Sequence, residues 1–256
     1  MQNIYFISDA HLGSEAKDKE LAKIELLLNF LDFVRQQADI LYIVGDLFDF
    51  WFEYRHAIPK TSLKILAKLF QLVEKGVQVR YFAGNHDLWL GNFLQQELGI
   101  KIYHEPLDVI HNGLKFYIAH GDGLAKGDRG YRFLKRIFKN RLNIFLYRWL
   151  HPDVGVPLAK FFSNRSRTKG ENPFDEDYWN LATSLLGKGY DVVIFGHTHK
   201  PLFKRIDGRY YINLGDWIEN FTYLHLKHTT LQLYRWPSRQ LFEESAKPEH
   251  THYFKV

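Results

Sequence analysis

The stretch Ile40-Leu41-Tyr42-Ile43-Val44-Gly45-Asp46-Leu47-Phe48-Asp49 joins a run of β-branched and aromatic residues to a glycine and two aspartates. A run without polar alternation is the pattern of a strand buried on both faces of a sheet. Gly45 supplies a sharp turn, and Asp46 stands where the strand stops. The same order recurs along the chain. Ile4-Tyr5-Phe6-Ile7 precedes Ser8-Asp9-Ala10-His11, and residues 77–82 (VQVRYF) precede Gly84-Asn85-His86-Asp87. Phe116-Tyr117-Ile118-Ala119 precedes His120-Gly121-Asp122, and Val192-Val193-Ile194-Phe195 precedes Gly196-His197-Thr198-His199. Helix-like segments separate most of these runs, which predicts an α/β fold with parallel strands covered by helices. Sheets of that kind build their sites at strand ends, so the five motifs are expected to converge.

Around this frame, Leu21, Ile24, Leu27, Leu28, Leu31 and Val34 recur at helical spacing, as do Leu63, Leu66, Leu69, Phe70 and Val73. Both segments read as crossover helices. Residues 88–98 read as a shorter amphipathic helix, and 174–186 as another. After the fifth motif the pattern turns to strands at 210–213, 223–226 and 231–234, and the polar tail from Pro237 reads as peripheral. A chain of 256 residues has room for one large domain or two small ones, and we read a single domain, 1–256, carrying an insertion. No uncharged apolar stretch approaches the roughly 20 residues that cross a bilayer, and the N-terminus enters a strand without a basic leader, so a cytoplasmic, non-spanning protein is expected. Cysteine is absent, which excludes disulfides and thiolate sites and leaves His, Asp, Asn and Glu to hold any metal.

Residues 129–170 interrupt the α/β rhythm. They carry eleven Lys or Arg against one acid, Asp153, a local charge of +10 in a chain whose formal total is +5. Leu134, Phe138, Leu142, Phe145, Leu146 and Trp149 form an apolar stripe at helical spacing. Pro152 and Gly155-Val156-Pro157 mark a break before a second short helix at 158–162. The segment reads as a helical cap inserted between strands, and its charge calls for an anionic partner: phosphate, nucleic acid or a membrane surface.

The motif residues suit a pair of divalent ions, which needs a bridging carboxylate plus histidine and oxygen donors that leave room for water and substrate. Asp9 and His11, two apart at a strand end, can face one side together. Asp46 is the candidate bridge, and Asn85, His120, His197 and His199 complete two ligand sets. Taken singly, an Asp or His at a strand end more often caps or hydrogen-bonds than ligates; together they argue for ligation. Asp49 and Asp122 could orient a ligand or stabilise a turn. His56, His104, His111, His151, His225, His228, His250 and His252 fit no motif and read as surface or loop residues.

In order, D-x-H, G-D-x-x-D, G-N-H-D, a later H and G-H-x-H resemble the calcineurin-like metallophosphoesterases over residues 5 to 217. The resemblance implies a four-layer metallophosphoesterase β-sandwich flanked by helices. It also implies two divalent ions, with Mn2+ the family expectation: Asp9, His11, Asp46 and His199 on one, Asp46, Asn85, His120 and His197 on the other. His86 would face the scissile phosphate as proton donor or charge stabiliser, with Asp87 orienting its ring. The reaction implied is in-line attack on phosphorus by metal-activated hydroxide.

Protein phosphatases of this superfamily carry Arg where Phe50 stands, which argues against that branch. GDLFDFW at 45–51 and HGDGLAKGDRGYR at 120–132, followed by the basic helices, resemble the bacterial UDP-2,3-diacylglucosamine pyrophosphohydrolases of lipid A synthesis. YINLGDW at 211–217 resembles the strand and turn after the last histidine motif in such enzymes. The resemblance implies that Asn85, Asp128, Tyr131 and His197 contact substrate, that Ser163 to Lys169 supply polar cap contacts, and that the cap houses acyl chains. One departure stands: well-known members carry Arg where this chain has His86. The partners implied are a nucleotide-linked acylated sugar and an anionic membrane surface against the basic cap, peripheral at the inner face of the membrane. A nuclease is the main rival, since a basic segment with eight aromatics could track phosphates and stack bases; the apolar stripe favours lipid. Two weaker rivals are a hydrolase of nucleotides or diadenosine polyphosphates and a non-catalytic scaffold, and the complete ligand set opposes the scaffold.

Overall fold

A computed structural model of the chain describes residues 1–59, 62–127, 129–167 and 175–245, with the backbone alone at 129 and 160–167. Two mixed sheets face each other. Among the described residues one has seven strands in the order β12 (Gln240–Glu244), β11 (Thr230–Arg235), β10 (Thr222–Lys227), β1 (Asn3–Ile7), β2 (Ile40–Val44), β3 (Gln78–Phe82) and β4 (Lys101–Tyr103), and the other five in the order β5 (Leu107–His111), β6 (Leu114–Ile118), β7 (Val192–Phe195), β9 (Arg209–Asn213) and β8 (Leu202–Ile206). The central strands are the apolar runs that precede the motifs: β1 (Asn3–Ile7), β2 (Ile40–Val44), β3 (Gln78–Phe82), β6 (Leu114–Ile118) and β7 (Val192–Phe195). β1, β2 and β3 run parallel, with Phe6 opposite Tyr42 and Ile43 opposite Tyr81, and β6 and β7 are parallel in the other sheet.

Alternation along these strands builds the layers. Ile4, Phe6, Ile40, Tyr42 and Val44 point inward to meet Phe116, Ile118, Val192, Ile194 and Ile212 of the facing sheet. Tyr5, Ile7, Leu41 and Ile43 point outward onto α1 (Lys17–Arg35) and α2 (Leu63–Glu74). On the opposite side Val193, Phe195 and Tyr211 carry Tyr178, Ala182, Leu185 and Leu186 of α7 (Asp175–Gly187). The order is helix, sheet, sheet, helix, the four-layer α/β sandwich expected.

The remaining strands are shorter or lie towards the sheet edges. β4 (Lys101–Tyr103), β5 (Leu107–His111), β8 (Leu202–Ile206) and β12 (Gln240–Glu244) are not marked by any apolar run. None of the four is predicted from the sequence, and two of them, β5 and β12, overturn a specific expectation. The tail after Pro237 is not merely peripheral, because Gln240–Glu244 pairs antiparallel with β11 (Thr230–Arg235) as the edge of the larger sheet. His111 is not a surface residue: it is buried in β5, with Nε2 2.8 Å from the Tyr42 hydroxyl and Nδ1 3.0 Å from Gln2. His225, in β10 (Thr222–Lys227), stacks on Tyr5 with ring centroids 4.3 Å apart.

The helices depart from expectation in phase and length. In α1 the buried stripe is Lys23, Leu27, Phe30, Leu31 and Val34, while Leu21 is 50% exposed. Lys23 stands one turn before Leu27 and so falls on the inner face. In α2 Ile65, Leu66, Leu69 and Leu72 turn inward, and Leu63 and Phe70 are exposed. Residues 88–98 contain only a four-residue helix, α3 (Phe93–Gln96), because the preceding loop is held by Glu53, whose carboxylate accepts the Phe93 N–H at 3.1 Å.

Between β6 and α7 come α4 (Arg129–Lys139), α5 (Arg141–Arg148) and α6 (Pro152–Arg167). The last starts at Pro152 and runs through Pro157, so the proline-glycine stretch is not a break before a later helix. Pro152 occupies a first-turn position that needs no N–H. These helices meet the strand-end loops through aromatic rings: Tyr147 lies 4.7 Å from Phe52 and 4.9 Å from Trp89, and the Trp89 indole N–H donates to the Phe138 carbonyl at 2.8 Å. Phe133, Leu142, Phe145, Leu146 and Trp149 remain exposed. No helix among the described residues is long and apolar enough to cross a membrane.

Candidate metal centre

The five strand ends bring their polar residues to one place. Backbone pairing continues past β1 and β2, with the Asp9 N–H on the Gly45 carbonyl at 3.1 Å and the His11 N–H on the Asp46 carbonyl at 2.9 Å. Asp9 and Asp46 are thereby set side by side, buried at 0% and 1% exposure. Beyond that point the backbone bends into an unusual conformation. Asp9, His11, Asp46, His197 and His199 all have positive φ, at 54°, 42°, 51°, 68° and 60°. Left-handed backbone costs a residue with a Cβ about 1 kcal/mol or more, and its concentration at one site is the mark of function overriding local preference.

Two glycines make the close approach possible. A Cβ on Gly84 would collide with the Asp46 carboxylate, and a Cβ on Gly45 with the His120 ring. Only glycine lets these backbones pass so near the acidic centre.

The side chains form overlapping groups of donors lying within 4.8 Å of one another: Asp9, His11 and His199; Asp46, His120 and His197; and His11, Asp46 and His86. One oxygen of Asp46, Oδ2, is 3.3 Å from His120 Nε2 and 3.7 Å from His11 Nε2, so it faces both halves. His11 Nε2 and His199 Nε2 are 3.1 Å apart, with Asp9 Oδ1 at 3.7 and 3.4 Å from them. Asn85 Oδ1 lies 3.2 Å from His120 Nε2. Neighbouring donors on one ion with bonds near 2.1 Å are separated by roughly 3 Å, so this spacing suits a shared cation. The buried Asp9 Oδ1 has no hydrogen-bond partner, which is the orphan acceptor a cation would satisfy. An all N and O donor set fits a divalent ion such as Mn2+.

The charges follow from this crowding. Burial opposes ionisation of Asp9 and Asp46, but the surrounding imidazoles hold both carboxyls below the usual range. Burial also disfavours charge on His120, His86 and His199, and the carboxylates outweigh it and raise all three. His197 goes the other way, pushed down to about 4 by burial and by the neighbouring His120. Asp87 is raised to about 6, by burial first and then by Asp46.

One expectation about orientation is corrected. The carboxylate at the His86 ring is that of Asp49, with His86 Nδ1 3.1 Å from the Asp49 carbonyl and 3.5 Å from Asp49 Oδ1. Asp87 instead turns inward, accepting the Gly84 N–H at 2.7 Å and the Tyr81 hydroxyl. Adjacency in sequence suggests the pairing; the tight 84–87 turn sends the two side chains to different sides. His86 is itself fixed from below, its N–H donating to Asp46 Oδ1 at 2.8 Å.

Of the residues expected to meet substrate, Asn85 and His197 lie in the centre, while Asp128 and Lys169 are outside the described residues. Tyr131 donates its hydroxyl to Asp122 Oδ2 at 2.6 Å, and Lys135 Nζ reaches the same oxygen at 2.5 Å. Asp122 thus ties α4 to the loop that carries His120. The sequence marks Gly215-Asp216-Trp217 only as part of a family-like turn; in the fold the Trp217 N–H holds the Asp9 carbonyl at 3.0 Å. Sequence reasoning also passes over Lys23, whose signal is a cation on the apolar stripe of α1.

Comparison with known proteins agrees with this geometry. The family model for calcineurin-like phosphoesterases matches residues 2–201. The UDP-2,3-diacylglucosamine hydrolase of Porphyromonas gingivalis is 35% identical over 251 residues, covering 90% of this chain and 96% of that protein. The hydrolases of the same name from Stutzerimonas stutzeri and Neisseria meningitidis serogroup B are 33% and 31% identical, covering 84% and 86% of this chain and 90% and 92% of theirs. Among solved structures, Yfce, a phosphoesterase from E. coli, shares the fold with a TM-score of 0.51 at 17% identity, covering 94% of this chain and 97% of that one. The strand-end histidines and aspartates, the sandwich that converges them and the match over most of the chain lead to one conclusion: this hydrolase belongs to the calcineurin-like phosphoesterase family.

Proposed function

We propose that the protein hydrolyses the pyrophosphate bond of UDP-2,3-diacylglucosamine, yielding 2,3-diacylglucosamine 1-phosphate and UMP, with two divalent ions, Mn2+ by expectation, held around Asp46. The observation that carries the reading is Asp46 Oδ2 facing His11 on one side and His120 on the other, in a chain whose relatives over most of its length bear that substrate's name. Asp9, His11, Asp46 and His199 would hold one ion, and Asp46, Asn85, His120 and His197 the other. Bound ions of this kind lower the pKa of coordinated water and neutralise charge on phosphoryl oxygens.

The chain's own groups do the rest. His86, whose pKa burial lowers but Asp46 and Asp49 raise on balance, offers an N–H to a phosphoryl or leaving oxygen at the rim of the centre. Asn85 presents its amide beside His120 and can orient a phosphoryl oxygen. The helices 129–167 form a cap whose exposed Phe133, Leu142, Phe145 and Leu146 suit acyl chains, while the Lys and Arg of the same segment suit anionic lipid headgroups at a membrane. This apolar exposure favours a lipid-linked substrate over nucleic acid.

The test is product analysis. Protein stripped by a chelator and reloaded with Mn2+ should release UMP from UDP-2,3-diacylglucosamine, and the stripped protein should not. Release of UMP at equal rate without any divalent ion would reject the reading.

A further inference from the structure

Lys23 is the one buried lysine among the described residues, at 3% exposure, and no step of the chemistry above uses it. Lysines are rarely found so deep unless their hydrogen bonds are needed there. Its Nζ donates to the carbonyl of His11 at 2.9 Å and lies 3.3 Å from Ser14 Oγ. Its charge is matched at once by Glu20, 3.2 Å away, so what reaches the site is the hydrogen bond and not a free positive charge. Glu20 in turn accepts the Gly13 and Glu15 N–H groups at 2.8 and 3.1 Å. The start of α1 therefore grips the loop that carries His11.

The other histidine of the same group is held alike. Asn220 donates one amide hydrogen to the carbonyl of His199 at 3.1 Å and the other to Asp216 Oδ2 at 2.7 Å. Asp216 Oδ1 accepts the N–H groups of Ile218, Glu219 and Asn220 at 2.7, 2.7 and 3.1 Å, so the amide is presented from a fixed turn. His11 and His199 are the pair whose Nε2 atoms lie 3.1 Å apart, and both have left-handed backbones that would relax if freed.

We propose that Lys23 and Asn220 are positioning residues: by fixing the peptide planes that follow His11 and His199, they keep the two rings aimed at one cation. The inference rests on the metal-centre reading. Loss of either clamp leaves the four donors present but lets a ring swing away, so affinity for one ion falls while the donors around His120 are unaffected. Outer contacts of ligands typically tune metal affinity by about 10- to 100-fold.

The experiment is an equilibrium titration of the metal-free full-length protein with Mn2+, following the electron paramagnetic resonance signal of free Mn2+, with melting of the metal-free forms measured in parallel. Lys23→Met and Asn220→Ala should each weaken binding of one equivalent about 10- to 100-fold. Lys23→Arg, which keeps a donor, should restore most of it, and raised Mn2+ should recover the hydrolysis lost by both variants. If Lys23→Met does not fold, Asn220→Ala on its surface turn carries the same test. Wild-type affinity in both variants, even with lower melting temperatures, would overturn the proposal and leave the metal centre standing. No Mn2+ binding by the wild-type protein would overturn the metal reading as well.

Discussion

Gly84→Ala is the smallest change that should disturb the centre without removing any donor. The backbone at Gly84 lies outside the left-handed region, so alanine meets no conformational penalty and the effect is steric. A methyl group there would lie 2.7 Å from both the Asp46 N and Cγ, against an ordinary contact of at least 3.4 Å. At least 0.7 Å of separation must be found, more for Oδ1 of the same carboxylate, which lies nearer still, and one of the three colliding atoms is backbone. Either the 84–87 turn backs away, taking Asn85 and His86 with it, or Asp46 moves relative to His11 and His120. A misplacement near 1 Å at reacting groups costs on the order of 100-fold in rate, and overpacking costs about 1–3 kcal/mol of stability. The expected result is a folded protein with kcat/KM on an aryl phosphodiester down about 100-fold and weaker Mn2+ binding, measured by steady-state kinetics and metal titration. Wild-type kcat/KM in Gly84→Ala would refute the claim that the 84–87 turn sets Asp46 and His86.

Other consequences follow from single contacts. Asp46→Ala should abolish hydrolysis of every phosphoester tested; activity retained in a phosphodiester assay would reject a shared bridging carboxylate. Phe138→Ser with Leu142→Ser should reduce turnover of the acylated substrate at least tenfold more than that of a small aryl phosphodiester, and equal losses would mean a fold defect and not acyl contact. His111 provides a pH test of the fold. Burial pushes it down to about 4, so the native state favours its neutral form. Stability from this group is full above the unfolded value near 6.5 and is lost as pH falls towards 4, by up to about 3 kcal/mol. Denaturant melts of wild type and His111→Gln between about pH 7 and 4.5 should diverge in slope, and parallel curves would exclude the effect.

Among the strands that position the site, β1, β2 and β7 are legible because they are buried on both faces, which writes their apolar character as an unbroken run. β4, β5, β8 and β12 carry Lys101, Asp108, Lys204, Arg205 and Glu243 among their residues, and their identity comes from pairing with a neighbour. The candidate donor set is legible because chemistry restricts residue type at strand ends. Orientation within it is not: Asp49, distant in sequence from His86, is the carboxylate at that ring, and only the fold brings them together. Lys23 illustrates the same limit. Helical periodicity identifies α1 but places Leu21 inward, whereas the phase set by Leu27, Phe30 and Val34 puts Lys23 on the inner face, where its ammonium meets the His11 carbonyl. The segment 129–167 is recognised by charge and apolar spacing, yet the contact of Tyr147 with Phe52 and Trp89 that seats it on the core joins loops far apart in the chain.

Substrate identity is decided by one side-by-side comparison. Mn2+-loaded protein should be assayed side by side on UDP-2,3-diacylglucosamine, single-stranded DNA and a diadenosine polyphosphate. kcat/KM for UDP-2,3-diacylglucosamine should be at least 100-fold above that for the other two, with UMP as product. Rapid cleavage of single-stranded DNA with no UMP released from the lipid nucleotide would contradict this substrate assignment.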